Sequence, residues 1–259
     1  MAIHATAIID ASAEIHQTAD IGPFCIVGKN VKIGEGSVLE SSVRVYDNVT
    51  IGKFNIIKHC AAIGNVPQDL HFDPKIPSGV EIGDHNRLCE YFTVHRSKFE
   101  GSTTKIGNHC FLMENTHIAH DSVVEDHVIM VHCAATAGHV HISNYAFISG
   151  LTAIHQYSNV GTYAMIAGCS KIVKDVPPYS TVDGNPATVI GLNSIGLKRA
   201  GLPSDVRNKI KQVYKTLYHS GINITQALVE LKKIENPILE EKTIIDFFAN
   251  SERGVTDHR

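Results

Sequence analysis

An aliphatic residue recurs at every sixth position, and this period constrains the fold more than any other feature of the sequence. Stepping by six from Ile3 to Ile63 meets eleven residues, and all are Ile, Leu or Val. A second run of twelve positions begins at Ile106 and contains ten aliphatic residues. Small or β-branched residues usually stand four positions later, and glycine often follows the aliphatic residue, as in Ile21-Gly22. A period of six fits neither a helix nor an ordinary strand.

The period predicts a β-solenoid, in which each hexad is a short strand with a corner and three hexads close one triangular coil. The aliphatic residue should point into the prism with the small residue packed near it. The glycine should relieve a corner where φ is positive. This hexapeptide-repeat signature resembles the left-handed parallel β-helix of the hexapeptide acyltransferases. The left hand is implied by that resemblance alone, because ordinary parallel crossovers are right-handed.

Two interruptions and a change of pattern predict the domain organisation. Residues 65–80 and 97–105 break the period, and such insertions leave a solenoid as surface loops. The register ends after Val176-Pro177-Pro178, so we expect a β-helix domain over 1–192 and a helical domain over 193–259. Three helices are expected. The first is capped by Ser204 and reaches toward Ser220, the second is capped by Thr225 and reaches Ile234, and the third runs from about Pro237 to Ala249.

Composition excludes several classes of protein. The net charge of −3 argues against a general nucleic-acid binder. The six cysteines lie at least twenty residues apart, which excludes a compact zinc knuckle or a dense disulfide scaffold. No apolar run is long enough to span a membrane, and the first residues lack the features of a signal peptide. We therefore expect a cytoplasmic protein.

Histidines are concentrated where the register is unbroken. Eight of the sixteen lie between His109 and His155. Residues 18 apart should lie one coil above each other, roughly 4.8 Å apart. This grid gives one column of His120, Gly138 and Gln156, with His139 and His155 beside it, and a second column of His117, Ala135, Ala153 and Lys171. Four histidines, His117, His120, His139 and His155, should therefore meet on one patch.

This patch has the groups that an acyl transfer requires. A histidine can act as general base toward a hydroxyl group. A glycine one coil above can offer its backbone N–H to a developing oxyanion, since no side chain blocks it. His120 and Gly138 meet these requirements. Asp121 follows the candidate base, but alternation along a strand should point its side chain away from His120.

Longer motifs make the resemblance specific. The segments IGPFCIVG, PQDL, ENTHIAHDS, AGHV, AIHQY, AGCSKIVKDVPPY, GNPA and GLKRAGL resemble those of the UDP-N-acetylglucosamine O-acyltransferases, which begin lipid A synthesis. The resemblance covers essentially the whole chain. It implies His120 as general base and Gly138 as oxyanion donor. It also implies sugar-nucleotide contacts from Gln68, Asp69, His71, His117, His139, His155, Gln156, Asn193 and Arg199.

The same resemblance implies the partners. The family works as a homotrimer with its sites in the clefts between subunits, and its donor is an R-3-hydroxyacyl chain on acyl carrier protein. No cofactor or metal is implied. The stretch from Lys198 to Lys215 holds six basic residues against one Asp, and it suits acidic acyl carrier protein or the nucleotide diphosphate.

Three positions depart from the family pattern and leave the acceptor open. His71 replaces a lysine, Ala200 follows Arg199 where an arginine pair is expected, and Ile195 replaces a glutamate. The 3-hydroxyl of the sugar is the leading acceptor on family grounds. A 3-amino analogue of the sugar nucleotide remains an alternative, because a histidine base can assist an amine as well.

The stacked columns also predict a limit to acyl-chain length. Gly150 and Gly168 should stack one coil apart, beside the column of Ala135 and Ala153. That column ends at Lys171, three coils beyond His117, which corresponds to roughly 14 Å or about twelve extended carbons. The lysine stem could close this acyl groove there.

Three other functions are associated with parts of this pattern. A trimeric zinc hydratase of the γ-carbonic-anhydrase kind would use the histidines as metal ligands, but it has no place for the PQDL loop or the helical tail. A non-enzymatic β-solenoid would not need the histidine cluster. The related sugar N-acyltransferase that acts later in the pathway carries an extra domain before its solenoid.

Overall fold

Most of the chain is a column of short parallel strands, and a group of helices follows it. The computed structural model describes residues 2–259. The strands of the lower coils are β1 (Ala2–Ile3), β2 (Ile8–Ile9), β3 (Glu14–Ile15), β4 (Asp20–Ile21), β5 (Ile26–Val27), β6 (Lys32–Ile33), β7 (Val38–Leu39), β8 (Arg44–Val45), β9 (Val49–Ile51), β10 (Ile56–Ile57) and β11 (Ala62–Asn65). Those of the middle coils are β12 (Gly79–Ile82), β13 (Arg87–Leu88), β14 (Thr93–His95), β15 (Thr103–Ile106), β16 (Phe111–Leu112), β17 (His117–Ile118), β18 (Val123–Val124), β19 (Ile129–Met130) and β20 (Ala135–Thr136). The upper strands are β21 (His141–Ile142), β22 (Phe147–Ile148), β23 (Ala153–Ile154), β24 (Asn159–Val160), β25 (Met165–Ile166), β26 (Lys171–Ile172), β27 (Ser180–Gly184) and β28 (Ala187–Leu192).

Every third strand belongs to the same sheet, which makes three flat faces. The first sheet begins at β1 and has eleven strands, the second begins at β2 and has nine, and the third begins at β3 and has eight. Neighbours pair in parallel except β27 and β28, and in the uninterrupted coils residues 18 apart are aligned, as Ala135 aligns with Ala153. The three sheets are the sides of a left-handed parallel β-helix, so the expected fold is confirmed.

Burial follows the hexad. Within a strand pair such as His117–Ile118, the second residue is fully buried in the prism and the first faces outward. The buried aliphatic column runs from Ile21 to Ile172. Burial is less complete in the first described coil, where Ile3 is 38% exposed and Ile9 and Ile15 are partly buried. The chain leaves the prism between β11 and β12 and between β14 and β15, and the segments between these strands lie within 65–80 and 96–105.

The role expected for the corner glycines is wrong. Positive φ is found two residues later, at non-glycine positions such as Phe24 (φ 59°) and Asn30 (φ 55°). Gly22 is required for a different reason. A Cβ atom there would lie 2.8 Å from the carbonyl carbon of Glu40 in the next coil. Close stacking of coils, and not the sign of φ, therefore selects glycine after the aliphatic residue.

The helical region covers the last coil. Its helices are α1 (Ser194–Arg199), α2 (Ser204–His219), α3 (Ile224–Leu231) and α4 (Leu239–Asn250). Two expected caps are displaced: Pro203 precedes α2, and Asn223 caps α3 by accepting the Gln226 N–H at 2.9 Å. The strands β27 and β28 form an antiparallel hairpin that the hexad pattern does not reveal. No helix of residues 2–259 combines the length and apolarity needed to cross a membrane.

The three faces differ in what they present outward. On the third sheet, exposed ion pairs join Lys32 to Glu14 at 3.7 Å and Lys105 to Glu81 at 3.5 Å. The outward residues of the first sheet are mostly apolar, and we call them the apolar face: Val38, Ile56, Phe111, Ile129, Phe147 and Met165. The second sheet carries the columns that contain His117 and Lys171.

Candidate active site

His120 lies directly against Gly138 of the next coil. A Cβ atom on Gly138 would be 2.5 Å from Cε1 and 2.8 Å from Nε2 of His120, so only glycine leaves room for the ring. The two coils are joined by the His139 N–H, which donates to the carbonyl of His120 at 3.0 Å. Within residues 2–259 the Gly138 N–H donates to no acceptor. A free backbone donor and an imidazole thus stand side by side.

Asp121 holds the imidazole, which corrects the expectation that it points away. Its carboxylate oxygen Oδ2 lies 2.7 Å from Nδ1 of His120. Alternation of side chains applies only inside a strand, whereas Asp121 is a corner residue with a φ of 60°. A carboxylate accepts, so Nδ1 of His120 carries the proton and Nε2 has a free lone pair toward Gly138.

The loop 97–105 fixes this carboxylate in turn. Asp121 accepts hydrogen bonds from the Ser97 hydroxyl and, at 3.3 Å, from the Lys98 N–H. Burial acts to raise the pKa of Asp121, but the hydrogen bonds from His120, Ser97 and Lys98 outweigh it and lower that pKa. Asp121 is therefore an ionised carboxylate that orients His120.

His139 packs edge-to-face against His120. Their ring centroids are 5.3 Å apart, and His139 also stacks on Tyr157 at 4.5 Å. Burial lowers the pKa of His139, which the Asp121 charge partly opposes. Potential ligand atoms of His120, Asp121 and His139 lie within 4.8 Å of one another. Only two of the four predicted histidines belong to this trio.

His117 belongs to a neighbouring group that includes a histidine the sequence analysis missed. His117 Nδ1 lies 2.7 Å from the Thr93 hydroxyl, and its ring is 4.8 Å from that of His95. Burial, followed by the influence of His117 and His120, lowers the pKa of His95 to about 4. Burial and His120 also lower the pKa of His117. A cavity of about 340 Å³ opens here and is lined by Ala62, Asn65, Gln68, Thr93, His95 and His117.

The 18-residue spacing does not predict His95 beside His117, because the loop 97–105 interrupts the register. Thr93 pairs with His117, and these residues are 24 apart instead of 18. The loop adds one further hexad of length. Subtracting those six residues would have placed β14 beneath β17, and His95 beneath the patch.

Gln68 lines this cavity from the loop 65–80, and Asp69 follows it in the chain. Asp69 accepts the His71 N–H at 2.9 Å and forms an ion pair with Lys98 at 3.3 Å. The His71 N–H and then Lys98 lower the pKa of Asp69. Position 71 is a histidine, and Lys98 supplies a cation beside Asp69 from the loop 97–105.

The remaining predicted residues lie further away. His155 and Gln156 are exposed one coil above, and Arg199 is exposed at the end of α1. Asn193 caps α1 by accepting the Gly196 N–H at 3.0 Å and donates to the Tyr163 carbonyl at 2.9 Å. Neither Asn193 nor Arg199 bonds to the histidine group within residues 2–259.

The columns of the predicted acyl groove are stacked as expected. A Cβ atom on Gly168 would lie 3.5 Å from the carbonyl oxygen of Gly150. Ala153 pairs with Lys171, whose side chain is exposed at the upper end of the second sheet.

Comparison with known proteins shows the family. Residues 175–256 match the family described as UDP N-acetylglucosamine O-acyltransferase, domain 2. The UDP-N-acetylglucosamine acyltransferase of Francisella novicida is 39% identical with a TM-score of 0.95, over 98% of this chain and 94% of that one. The enzyme of Moraxella catarrhalis is 40% identical with a TM-score of 0.93, over 99% and 100%. The acyltransferase of Bacteroides fragilis is 35% identical with a TM-score of 0.94, over 98% and 99%.

Proposed function

The chain belongs to the family of UDP-N-acetylglucosamine acyltransferases, and from this premise we propose that it transfers an R-3-hydroxyacyl chain from acyl carrier protein to the 3-hydroxyl of UDP-N-acetylglucosamine, as the first step of lipid A biosynthesis. It is an acyltransferase. The observation that carries the proposed mechanism is the packing of the His120 ring against Gly138, whose backbone N–H makes no hydrogen bond within residues 2–259.

His120 acts as the general base in this mechanism. Its free Nε2 takes the proton of the sugar 3-hydroxyl while that oxygen attacks the thioester carbonyl. The developing oxyanion accepts the Gly138 N–H. The carbon–sulfur bond then breaks, and the phosphopantetheine thiolate leaves with the proton from His120. Asp121 keeps the ring in the required tautomer and stabilises its charged form, since its carboxylate lies 2.7 Å from Nδ1.

The sugar nucleotide is proposed to bind around the cavity beside His117. Gln68 and His117 line this cavity, His139 packs against His120, and Lys98 offers a positive charge beside Asp69. His155, Gln156, Asn193 and Arg199 complete the proposed set of contacts. The residues at 71, 195 and 200 leave the 3-amino analogue as the alternative acceptor.

A homotrimer is proposed because one protomer does not assemble the whole set. Asn193 and Arg199 are separated from His120 within the chain, and a neighbouring copy can bring its own. The apolar face supplies a surface for that contact. Acyl carrier protein is proposed to dock beside α2, where a cavity of about 520 Å³ is lined partly by Lys211, Lys215, His219 and His258.

Turnover on two acceptors tests the proposal. The purified protein should acylate UDP-N-acetylglucosamine from a 3-hydroxyacyl carrier protein faster than it acylates the 3-amino analogue. His120→Ala should lower kcat by about 10²–10⁴-fold, with Asp121→Asn between it and the wild type. His127→Ala, on a different corner, is the matched control. Near wild-type turnover by a folded His120→Ala variant would refute the mechanism. Faster acylation of the 3-amino analogue would show that the acceptor is the amine and not the 3-hydroxyl.

Acyl-chain length is proposed to end at Lys171. We expect a preference for about twelve carbons, which a panel of 3-hydroxyacyl carrier proteins of graded length would measure. Lys171→Ala should shift the preference to longer chains, because it removes the stem that closes the groove. An unchanged preference in the variant would remove Lys171 from this role.

A further inference from the structure

The last residues of the chain are bound tightly to the top of the β-helix. We call residues 251–259 the C-terminal strap. The buried carboxylate of Asp175 accepts the Ser251 hydroxyl at 2.6 Å, and the Asp175 N–H donates to the Gly254 carbonyl at 2.9 Å. The Thr256 N–H donates back to the Asp175 carbonyl at 2.8 Å. The strap is therefore held on both sides of the residue at position 253.

Arg253 uses this position to reach His155. Its Nε donates to the Val173 carbonyl at 2.8 Å, and its Nη2 lies 2.8 Å from Nδ1 of His155. A guanidinium group is planar, so these two bonds fix both its plane and its direction. The contact joins residues 98 apart in sequence.

The contact determines where the imidazole carries its proton. A guanidinium group can only donate, so Nδ1 of His155 must present a lone pair and the proton must be on Nε2. The carbonyl of Gln156 lies 3.2 Å from the same Nδ1 and would favour the opposite form, with the proton on Nδ1. The bond from Arg253 is charge-assisted and shorter, so it prevails. Without Arg253 the Gln156 carbonyl is the remaining partner of Nδ1.

We propose that Arg253 is a positioning residue, which holds His155 as a neutral ring that donates through Nε2 to an oxygen atom of the sugar nucleotide. The donation to the nucleotide rests on the proposed function, in which His155 is a contact of that ligand. The proton position does not rest on it, because the strap and His155 meet within one protomer. The C-terminal strap thereby becomes part of the acceptor site.

Nitrogen-15 NMR of the histidine rings in the free protein tests the proton position. The wild type should show a protonated Nε2 and an unprotonated Nδ1 at His155. Arg253→Gln can still donate to the Val173 carbonyl, but its amide oxygen can accept, so the proton should move to Nδ1. Arg253→Lys offers only donors and should keep the wild-type form. Asp257→Ala breaks the exposed 2.8 Å ion pair with Lys174 in the same strap and is the matched control.

Binding of UDP-N-acetylglucosamine gives the second readout. Arg253→Gln should raise Kd and KM by about tenfold, the effect of one lost hydrogen bond, with kcat little changed. Arg253→Lys and Asp257→Ala should bind as the wild type does. A proton on Nδ1 in the wild type, or no change in Arg253→Gln, overturns the inference. If the proton moves but His155→Ala binds the nucleotide normally, the proposed contact of His155 is wrong and Arg253 still controls the ring.

Discussion

At the scale of single residues, His95 shows how burial near the site affects stability. It is 5% exposed, and its pKa of about 4 lies below the ordinary value of 6.5 because of burial and then of His117 and His120. The folded protein therefore keeps the ring neutral, while the unfolded chain takes up a proton as pH falls through 6.5. This difference makes the free energy of unfolding decrease with falling pH between about 6.5 and 4.

Replacing this histidine should make the protein less sensitive to acid. For one proton the loss is about 1.4 kcal/mol per pH unit. In His95→Asn the free energy of unfolding should fall less steeply between pH 6 and 4.5, by up to this amount per unit. Urea unfolding at a series of pH values measures the slope. Equal slopes in variant and wild type would show that His95 does not bind the extra proton on unfolding.

How far the sequence predicts the site depends on whether a residue obeys the grid. His120 and Gly138 are 18 apart within an unbroken register, so their contact follows from counting. The direction of Asp121 depends on a corner φ that counting does not give. Arg253 reaches His155 through tertiary docking of the chain end, and no local pattern records such a contact.

At the scale of elements, Arg96 binds the loop 65–80 to the β-helix through hydrogen bonds to its backbone. Arg96 follows β14 and donates to the carbonyls of Ile76 at 2.6 Å and Pro74 at 2.8 Å. Its guanidinium also lies over the ring of Phe72, 5.1 Å from the centroid. Since backbone carbonyls accept these bonds, the attachment depends on Arg96 more than on the loop's own side chains.

Arg96→Ala should loosen this loop and weaken acceptor binding. Gln68 and Asp69 would lose their fixed position, so KM for the sugar nucleotide should rise by about tenfold or more while the β-helix stays folded. Limited proteolysis should cut faster within 65–80. Lys105→Ala, which breaks an exposed ion pair on the third sheet, is the control. Unchanged KM and cleavage in Arg96→Ala would show that other contacts hold the loop.

The elements themselves were predictable where burial sets the pattern. Inward residues repeat because each must fill the prism, and both loops were visible as breaks in that repeat. The helix caps moved by one or two residues, since Pro203 and Asn223 precede the residues with the more obvious capping side chains. The hairpin of β27 and β28 has no hexad period, so it was hidden within the expected solenoid. The boundary at residue 192 between a β-helix domain and a helical domain stays a prediction.

At the scale of the whole molecule, the different outward side chains of the three sheets indicate which face would contact another copy of the chain. The third sheet pairs its charges in solvent, whereas the apolar face exposes 41% of Ile56 and leaves Ile129 and Met165 only half-buried. Arg87 interrupts this face between Ile56 and Phe111, and the three apolar residues Ile129, Phe147 and Met165 follow one another above it. Apolar surface of this kind is typical of protein contacts. A contact between copies through this face would account for both its composition and the incomplete site of one protomer.

Ile129→Asp should therefore break the proposed trimer. A carboxylate without a partner is costly to bury in an apolar contact, so the variant should sediment as a monomer and lose turnover together with its assembly. Thr50→Asp, on the outward side of the third sheet, should leave both unchanged. Analytical ultracentrifugation at micromolar concentration distinguishes these results. A trimer that survives in Ile129→Asp would place the contact on another surface.

The aligned spacing of 18 residues has a consequence for how such a chain changes in evolution. Each coil contacts only the coils above and below it, so a duplicated or deleted coil leaves every remaining contact of the same kind. The groups of the site lie between the loop 65–80 and the C-terminal strap, with several coils below them. Those lower coils form a stem whose length is free to vary in whole turns. An insertion between His120 and His155 would instead separate two parts of the proposed site, so length variation should be confined to these lower coils.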